Sequence, residues 1–444
     1  MPRCADSELV RDLVSASVFS AATNVVQHLL RVVRTHLGLD VAFVSRLDGD
    51  VMTVYDVDAP GRDGIFGEPG KRTPASQTYC GLVRDGKLPE LINDTGLYPL
   101  ACALPATDAL GIRANLTVPI YLSDGALFGM FCGFATSPDP TLNRRDINMM
   151  RAFAQIAAVA IEGELATERE AQRKRDRLAP LLADRAGLDI VLQPIWDLEA
   201  ATPFGAEALS RFAIEPRRTP DVWFREADEV GLGSDLEITA IRAAIDALSH
   251  LPPDTSLFVN SSPATVTAPE FAAALHGVPL NRLVIEITEH SSVAQYEPLE
   301  RALLPLRRDG LRIAVDDAGG GYSSFKHIIR LRPDIIKADT SIVRNVHNCP
   351  SRRAMIQAIG LFAQETDTLF LGEGAETADE LRALIELGVD LAQGYFLGRP
   401  TAPVHLGEPL AAAVPALAHA KIAAQAARAS RRMGATAAIR IAAA

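Results

Sequence analysis

The sequence is poor in cysteine, with five in 444 residues at positions 4, 80, 102, 132 and 349 and no C-x-x-C spacing. An odd, scattered set excludes a disulfide framework and a structural zinc finger, and points to a reducing compartment. Long apolar runs are also missing. The longest, 152–161, carries Gln155 and falls well short of the ~20 residues needed to cross a bilayer. The first twenty residues lack the basic start and unbroken apolar stretch of a secretory signal, so a cytoplasmic protein is expected. Positive charge is outnumbered: Lys+Arg 44 against Asp+Glu 55 leaves a net charge of −11, which argues against nucleic acid and membrane partners. What remains is a globular composition, 48% hydrophobic and 22% charged, long enough for two or three domains.

The first third reads as α+β. Val25, Val26, Leu29, Leu30 and Val33 give one helical face, and two strand-like runs, 41–47 and 51–57, flank a hairpin turn at Asp48-Gly49-Asp50. The stretch 59–74 reads as a loop, and a second strand pair is expected at 116–122 and 127–134. Asn143 looks like the cap of a long helix with two apolar stripes. One holds Met149, Phe153, Ile156 and Ala160, the other Ile147, Met150, Ala154, Ala157 and Ile161. One stripe can cover the sheet while the other meets a partner helix, which implies a homodimer. Beyond Glu162 the helix turns charged and reads as a solvated linker, either a plain surface helix or a dimer coiled coil, with Glu170 and Lys174 spaced as an i,i+4 pair. From about Leu188, eight strand signals alternate mainly with helices, the pattern of a (β/α)₈ barrel. The Ala- and Arg-rich stretch 416–444 reads as a frayed helix or a disordered tail.

Polar residues recur where these strands end, at the face on which such barrels build active sites. They are Glu207, Asn260, Glu286, Asp316, Asp317, Lys337, Glu373 and Gln393, most of them one βα unit apart. Several carboxylates converging in a buried mouth need cations. An all-oxygen set suits Mg²⁺ or Mn²⁺ better than zinc. Adjacent Asp316 and Asp317 would face opposite sides of a regular strand, so they serve one site only where the strand gives way, and Gly319-Gly320-Gly321 supplies that freedom.

The segments EALSR (207–211), FVNSS (258–262), EITE (286–289), DDAGGGYSS (316–324), IKAD (336–339), GEGAE (372–376) and QGYFLGRP (393–400) resemble the EAL domain. The resemblance covers about 180–415. It implies a TIM-type barrel that opens cyclic di-GMP to linear pGpG with two Mg²⁺ or Mn²⁺ ions. By this resemblance Glu207, Asn260, Glu286 and Asp316 hold one ion, and Asp316, Asp317 and Glu373 the second. Lys337 positions or helps deprotonate the attacking water, with Gln393 beside it. Gln193 and Arg211 meet the guanine and phosphate of the substrate, and Glu289 anchors the loop after Asp317. That loop departs from the family, with Ala318 where Phe is usual and Gly320 between two glycines, so a looser loop, weaker dimer coupling or lower turnover is expected, without loss of any ligand. Residues 9–165 resemble a GAF sensor domain, chiefly in 78–95, with a ligand of unknown identity. Cys80 is followed by Gly81 rather than the histidine common after bilin-attaching cysteines, so a packed thiol is expected. Residues 166–179 then form the linker. The rival reading is a barrel that binds the dinucleotide without cutting it. The first Glu, the Asp pair and the Lys are all present, and no GGDEF-like synthase segment occurs.

Overall fold

In a computed structural model, which describes residues 25–61, 68–287, 296–318 and 323–442, the expected hairpin forms from β1 (Val41–Asp48) and β2 (Val51–Asp58). The turn between them rests on Gly49 at φ +59°, a conformation that favours glycine. With β3 (Arg72–Pro74), β4 (Leu91–Ile92), β5 (Ala114–Tyr121) and β6 (Leu127–Ala135) they make an antiparallel sheet ordered β3-β2-β1-β6-β5-β4. β3 lies within the stretch expected to be a loop. Strand alternation divides the core in two. Ala42, Val44, Leu116 and Val118 face the helix Val25–Leu37 and the start of the helix Arg144–Asp184, while Val41, Phe43, Met130, Cys132 and Phe134 face the helix Tyr79–Arg84 and its neighbours. Asn143 does cap the long helix: the Arg145 N–H donates to its side-chain oxygen at 2.9 Å.

The two stripes of that helix meet different fates. Ile147, Met150, Ala154, Ala157 and Ile161 are all buried against the sheet. Of the other stripe, Phe153 is buried too and Met149 and Ala160 pack partly on the same core, which leaves Ile156 exposed beside Val159.

The chain divides into compact units at 170/171. In the second, β7 (Leu188–Asp197), β8 (Thr202–Phe212), β9 (Ser256–Ser261), β10 (Leu283–Ile287), β11 (Arg312–Ala318), β12 (Ile335–Ala338), β13 (Leu369–Gly372) and β14 (Leu391–Gln393) close into a barrel in sequence order. Every expected strand is there. The difference from a regular (β/α)₈ barrel is β7, which runs antiparallel to both neighbours, β8 and β14. Only residues 198–201 separate β7 from β8, too few for the helical crossover that a parallel pair requires.

Inside the barrel, Ile195, Phe258, Val284, Ala314, Ile335, Leu371 and Leu391 form an apolar plug. β8 contributes Gly205 at this level. A Cβ there would lie 2.3 Å from the Ser256 carbonyl oxygen and 3.0 Å from the Phe258 ring. Gly205→Val should therefore cost about 1–3 kcal/mol, as overpacked cores do. Thermal unfolding checks this, and an unchanged melting temperature would contradict the packing account.

The segments flanking the barrel are more tightly held than composition suggested. Leu178 and Leu181 join an apolar cluster with Trp223 and Leu236, and Lys174 pairs with Glu229 at 2.6 Å, so the second half of the charged linker packs on the barrel unit. At the other end a helix runs Gly407–Ala442, and Ala413, Leu417 and Ala420 belong to the barrel core. The barrel's own packing thus continues past residue 415. Among the described residues no helix is long and apolar enough to cross a membrane.

Candidate active site

The two-residue period of a strand builds the site directly on the plug. Asn260, Glu286, Asp316, Lys337, Glu373 and Gln393 each lie two positions after a plug residue (Phe258, Val284, Ala314, Ile335, Leu371, Leu391), and Glu207 lies two after Gly205. Side chains two apart share a face, so these seven form the layer above the apolar one. Gln193 obeys the same rule in reverse. It lies two positions before Ile195 because β7 runs the other way, and its Cα partner across the ladder is Glu207.

The ladder carries a β-bulge at the adjacent aspartates. On β11 three steps separate Val315 from Ala318, while their partners Ile336 and Ala338 on β12 are two apart. One extra residue is thus accommodated at Asp316-Asp317, which breaks the alternation that would send the two carboxylates to opposite faces. The irregularity lies within β11 itself. Only the backbone of Asp317 is described, and Glu289 and Gly319–Gly321 lie outside the described residues.

The centre of the layer is Lys337, buried, with its Nζ 2.6 Å from Glu373, 2.8 Å from Glu286 and 3.3 Å from Asp316. Burial alone would strip its proton. Asp316, Glu207, Glu286 and Glu373 outweigh that and hold its pKa well above the usual lysine value. Burial drives Glu286 well above the carboxylate range despite the nearby ammonium, with Glu207, Asp316 and Glu373 adding to the rise. Glu373 is pushed up to about 8, by burial first and then by Asp316 and Glu207, against the pull of Lys337. Beside them Glu207 accepts hydrogen bonds from Gln393 Nε2 at 2.7 Å and Asn260 Nδ2 at 3.1 Å.

This centre opens to a cavity of about 310 Å³ lined by Gln193, Glu207, Asp316, Lys337, Glu373 and Gln393, together with Thr340, Glu376, Tyr395 and two glycines. Thr340, Glu376 and Tyr395 are absent from the set read off the sequence. Their signal was positional, since each follows its strand by two to four residues on the face where loops close over the barrel. Arg211 is exposed on β8, four residues past Glu207, and donates to the Ser210 carbonyl at 2.8 Å. It is not brought into the cavity wall. Gln193 is, and it also donates to the Gly398 carbonyl at 3.3 Å.

The donor set fits a hard divalent cation. All candidates are oxygen ligands, and Glu286 Oε2 and Gln393 Oε1 are buried without a hydrogen bond among the described residues. Glu286 has only the ammonium of Lys337 opposite it. Among the described residues no three acidic groups converge on one ligating point, because Lys337 Nζ stands between them.

Comparison with known proteins follows this division. A family model described as the EAL domain matches residues 175–400, and one described as the GAF domain matches 21–162. Over 227 residues the chain is 30% identical to "Probable cyclic di-GMP phosphodiesterase PdeI" of Escherichia coli K12, covering 48% of this chain and 29% of that protein. It is 26% identical over 191 residues to "Cyclic di-GMP phosphodiesterase PdeF" of the same organism, covering 41% and 26%. The FimX EAL domain of Xanthomonas citri, solved in complex with c-diGMP, aligns with a TM-score of 0.48 at 21% identity, covering 53% of this chain and 96% of that one. The chain spans less than a third of the length of these two curated relatives.

Proposed function

Since the chain belongs to the EAL-domain family, with a GAF domain ahead of the barrel, we propose that it hydrolyses cyclic di-GMP to linear pGpG with Mg²⁺ or Mn²⁺, two ions per site, at a rate set by the GAF domain. The observation that carries this reading is the buried layer of oxygen donors around Lys337, in which Glu286 Oε2 and Gln393 Oε1 find no partner among the described residues. A site that only held a dinucleotide would have no use for buried carboxylates that cost several kcal/mol each to keep.

Glu207, Asn260, Glu286 and Asp316 would hold one ion, and Asp316, Asp317 and Glu373 the other. Bound metal supplies Lewis-acid stabilisation of phosphoryl charge and makes water a stronger nucleophile. The chain's own groups do the rest. Lys337 stays an ammonium and so donates hydrogen bonds rather than accepting a proton, which assigns it to orienting the water and the acidic residues, not to deprotonation. Gln393, fixed by its bond to Glu207, presents its free Oε1 towards the same space. Gln193, Glu376 and Tyr395 stand on the cavity wall where a bulky substrate would rest.

The test is to incubate the protein with cyclic di-GMP and Mn²⁺ and resolve the products. Linear pGpG is expected. Substrate bound but recovered intact would favour the binding-only barrel.

Control by the GAF domain would run through the continuous helix Arg144–Asp184, in a homodimer paired partly through exposed Ile156 and Val159. Removing residues 1–165 should change turnover without ending it. Inserting two residues at Ala171 turns the helix by about 200° and should uncouple the units. A monomer in light scattering whose turnover ignores both changes would refute this route.

A further inference from the structure

The GAF core holds a pair of thiols that the hydrolysis does not use. Cys132 sits in the middle of β6, opposite Phe43 on β1 and Thr117 on β5. Cys80 lies on the helix Tyr79–Arg84, whose first turn is fixed by the Thr78 hydroxyl accepting from the Gly81 N–H at 3.1 Å. At Gly81 a Cβ would come within 2.0 Å of the Ala75 carbonyl oxygen, so only glycine lets this helix settle so deeply. The result is two buried sulfurs 3.1 Å apart, 52 residues distant in sequence. About 1 Å of approach separates them from a covalent bond of ~2.05 Å.

We propose that Cys80 and Cys132 are a redox site at which hydrogen peroxide converts the two thiols to a disulfide. The pair is clamped at both ends, by a strand and by a capped helix, so the second sulfur is already at hand when the first reacts. Cys80 is the attacking group. Its contact with Cys132 lowers its pKa against the rise that burial causes, whereas burial and the same contact both raise that of Cys132. The Cys80 thiolate attacks one peroxide oxygen, the O–O bond breaks, and the departing hydroxide takes up the thiol proton to leave as water. The sulfenic acid formed is then attacked by Cys132 sulfur. The S–O bond breaks, and the hydroxyl leaves as a second water with the Cys132 proton. Two thiols lose two electrons, and one peroxide becomes two waters. Cys80 is 1% and Cys132 0% exposed, a burial that admits an oxidant the size of water far better than a peptide disulfide. Oxidation is thereby selective for peroxide.

The full chain tests this without knowledge of the GAF ligand. Protein is treated with hydrogen peroxide, unfolded in an alkylating agent and weighed, then digested and mapped. Alkylated cysteines should fall from five to three, with a Cys80–Cys132 linked peptide that dithiothreitol reopens. Glutathione disulfide should modify exposed Cys102 and leave the pair reduced. In Cys132→Ser the sulfenic acid on Cys80 should persist and be trapped by dimedone. If that variant fails to fold, the wild-type link decides alone. A pair still fully alkylated at peroxide levels that oxidise Cys102 would overturn the proposal, as would a link to Cys102 or Cys349. A link formed as readily by glutathione disulfide would overturn the size-selected route.

Discussion

Lys337→Met will lose turnover by ~10²–10³-fold, the contribution of one preorganised hydrogen-bond donor in an active site, and will destabilise the metal-free protein at the same time. The second effect follows from the ion pairs. Lys337 is the one cation within 3.3 Å of Glu286, Asp316 and Glu373 among the described residues. Methionine keeps the volume but removes the charge, and breaking a buried ionic cluster on one side costs about 3–5 kcal/mol. Protons soften the loss where they can. Glu373 titrates at about 8 even beside the lysine, and burial holds Glu286 well above its ordinary value. At low pH the carboxylates are neutral and the variant should approach wild type, while the deficit should open as pH rises and they ionise. Divalent cation replaces the missing charge, so Mn²⁺ should raise the variant's melting temperature more than that of wild type. Calorimetry with and without Mn²⁺ at two pH values checks both halves. Wild-type turnover would remove Lys337 from the chemistry, and an equal metal-free melting temperature would remove it from the charge balance.

The strands of the barrel were legible because each is a short apolar run that breaks at a polar residue, and parallel buried strands leave that signature. What escaped was direction. Nothing in the run 190–196 separates a strand running up from one running down. The decisive feature is the length of the connection, four residues at 198–201, which forces a hairpin. The site was legible for a related reason. The seven residues Glu207, Asn260, Glu286, Asp316, Lys337, Glu373 and Gln393 follow the plug by two positions on their strands, so a single periodicity sets both layers. The Asp316-Asp317 pair showed where this had to fail, and the sequence pointed to the glycines as the place. Those glycines lie outside the described residues, while the ladder carries a bulge at the pair itself, and bulges have no composition of their own.

Segments outside the strands were harder to read. The charged helix at 171–177 reads as solvated because ion pairing is a matter of partners: Arg177 meets Glu226 at 3.1 Å and Lys174 meets Glu229, residues some fifty positions away. The helix around Ile156 carries apolar residues on more than half its circumference, and periodicity alone cannot say which stripe the sheet takes. Cys80 read correctly as a packed thiol. Its neighbour at 3.1 Å was invisible, since only the fold brings β6 under the helix Tyr79–Arg84.

Stripping divalent metal will bring hydrolysis to background, Mg²⁺ or Mn²⁺ will restore it, and Ca²⁺ will bind without supporting turnover. Carboxylates and amides held by short, rigid barrel strands form a compact oxygen set suited to ions that take six ligands at about 2.0–2.2 Å. Ca²⁺ prefers six to eight at about 2.3–2.6 Å and would sit displaced from the groups that orient the water. Metal must also compete with a proton. Glu373 is neutral below about pH 8 in the metal-free centre, and a ligand must be deprotonated to bind. The apparent affinity should therefore rise with pH through about 8, with protons released on binding in that range. Calorimetric titration of Mn²⁺ in buffers of different ionisation enthalpy measures that release, and turnover in Mn²⁺, Ca²⁺ and chelator measures the dependence. Undiminished activity in chelator or in Ca²⁺ would sink the metal reading of this site. A pH-independent Mn²⁺ affinity with no proton release would instead remove Glu373 from the ligands while leaving the rest of the oxygen set in place.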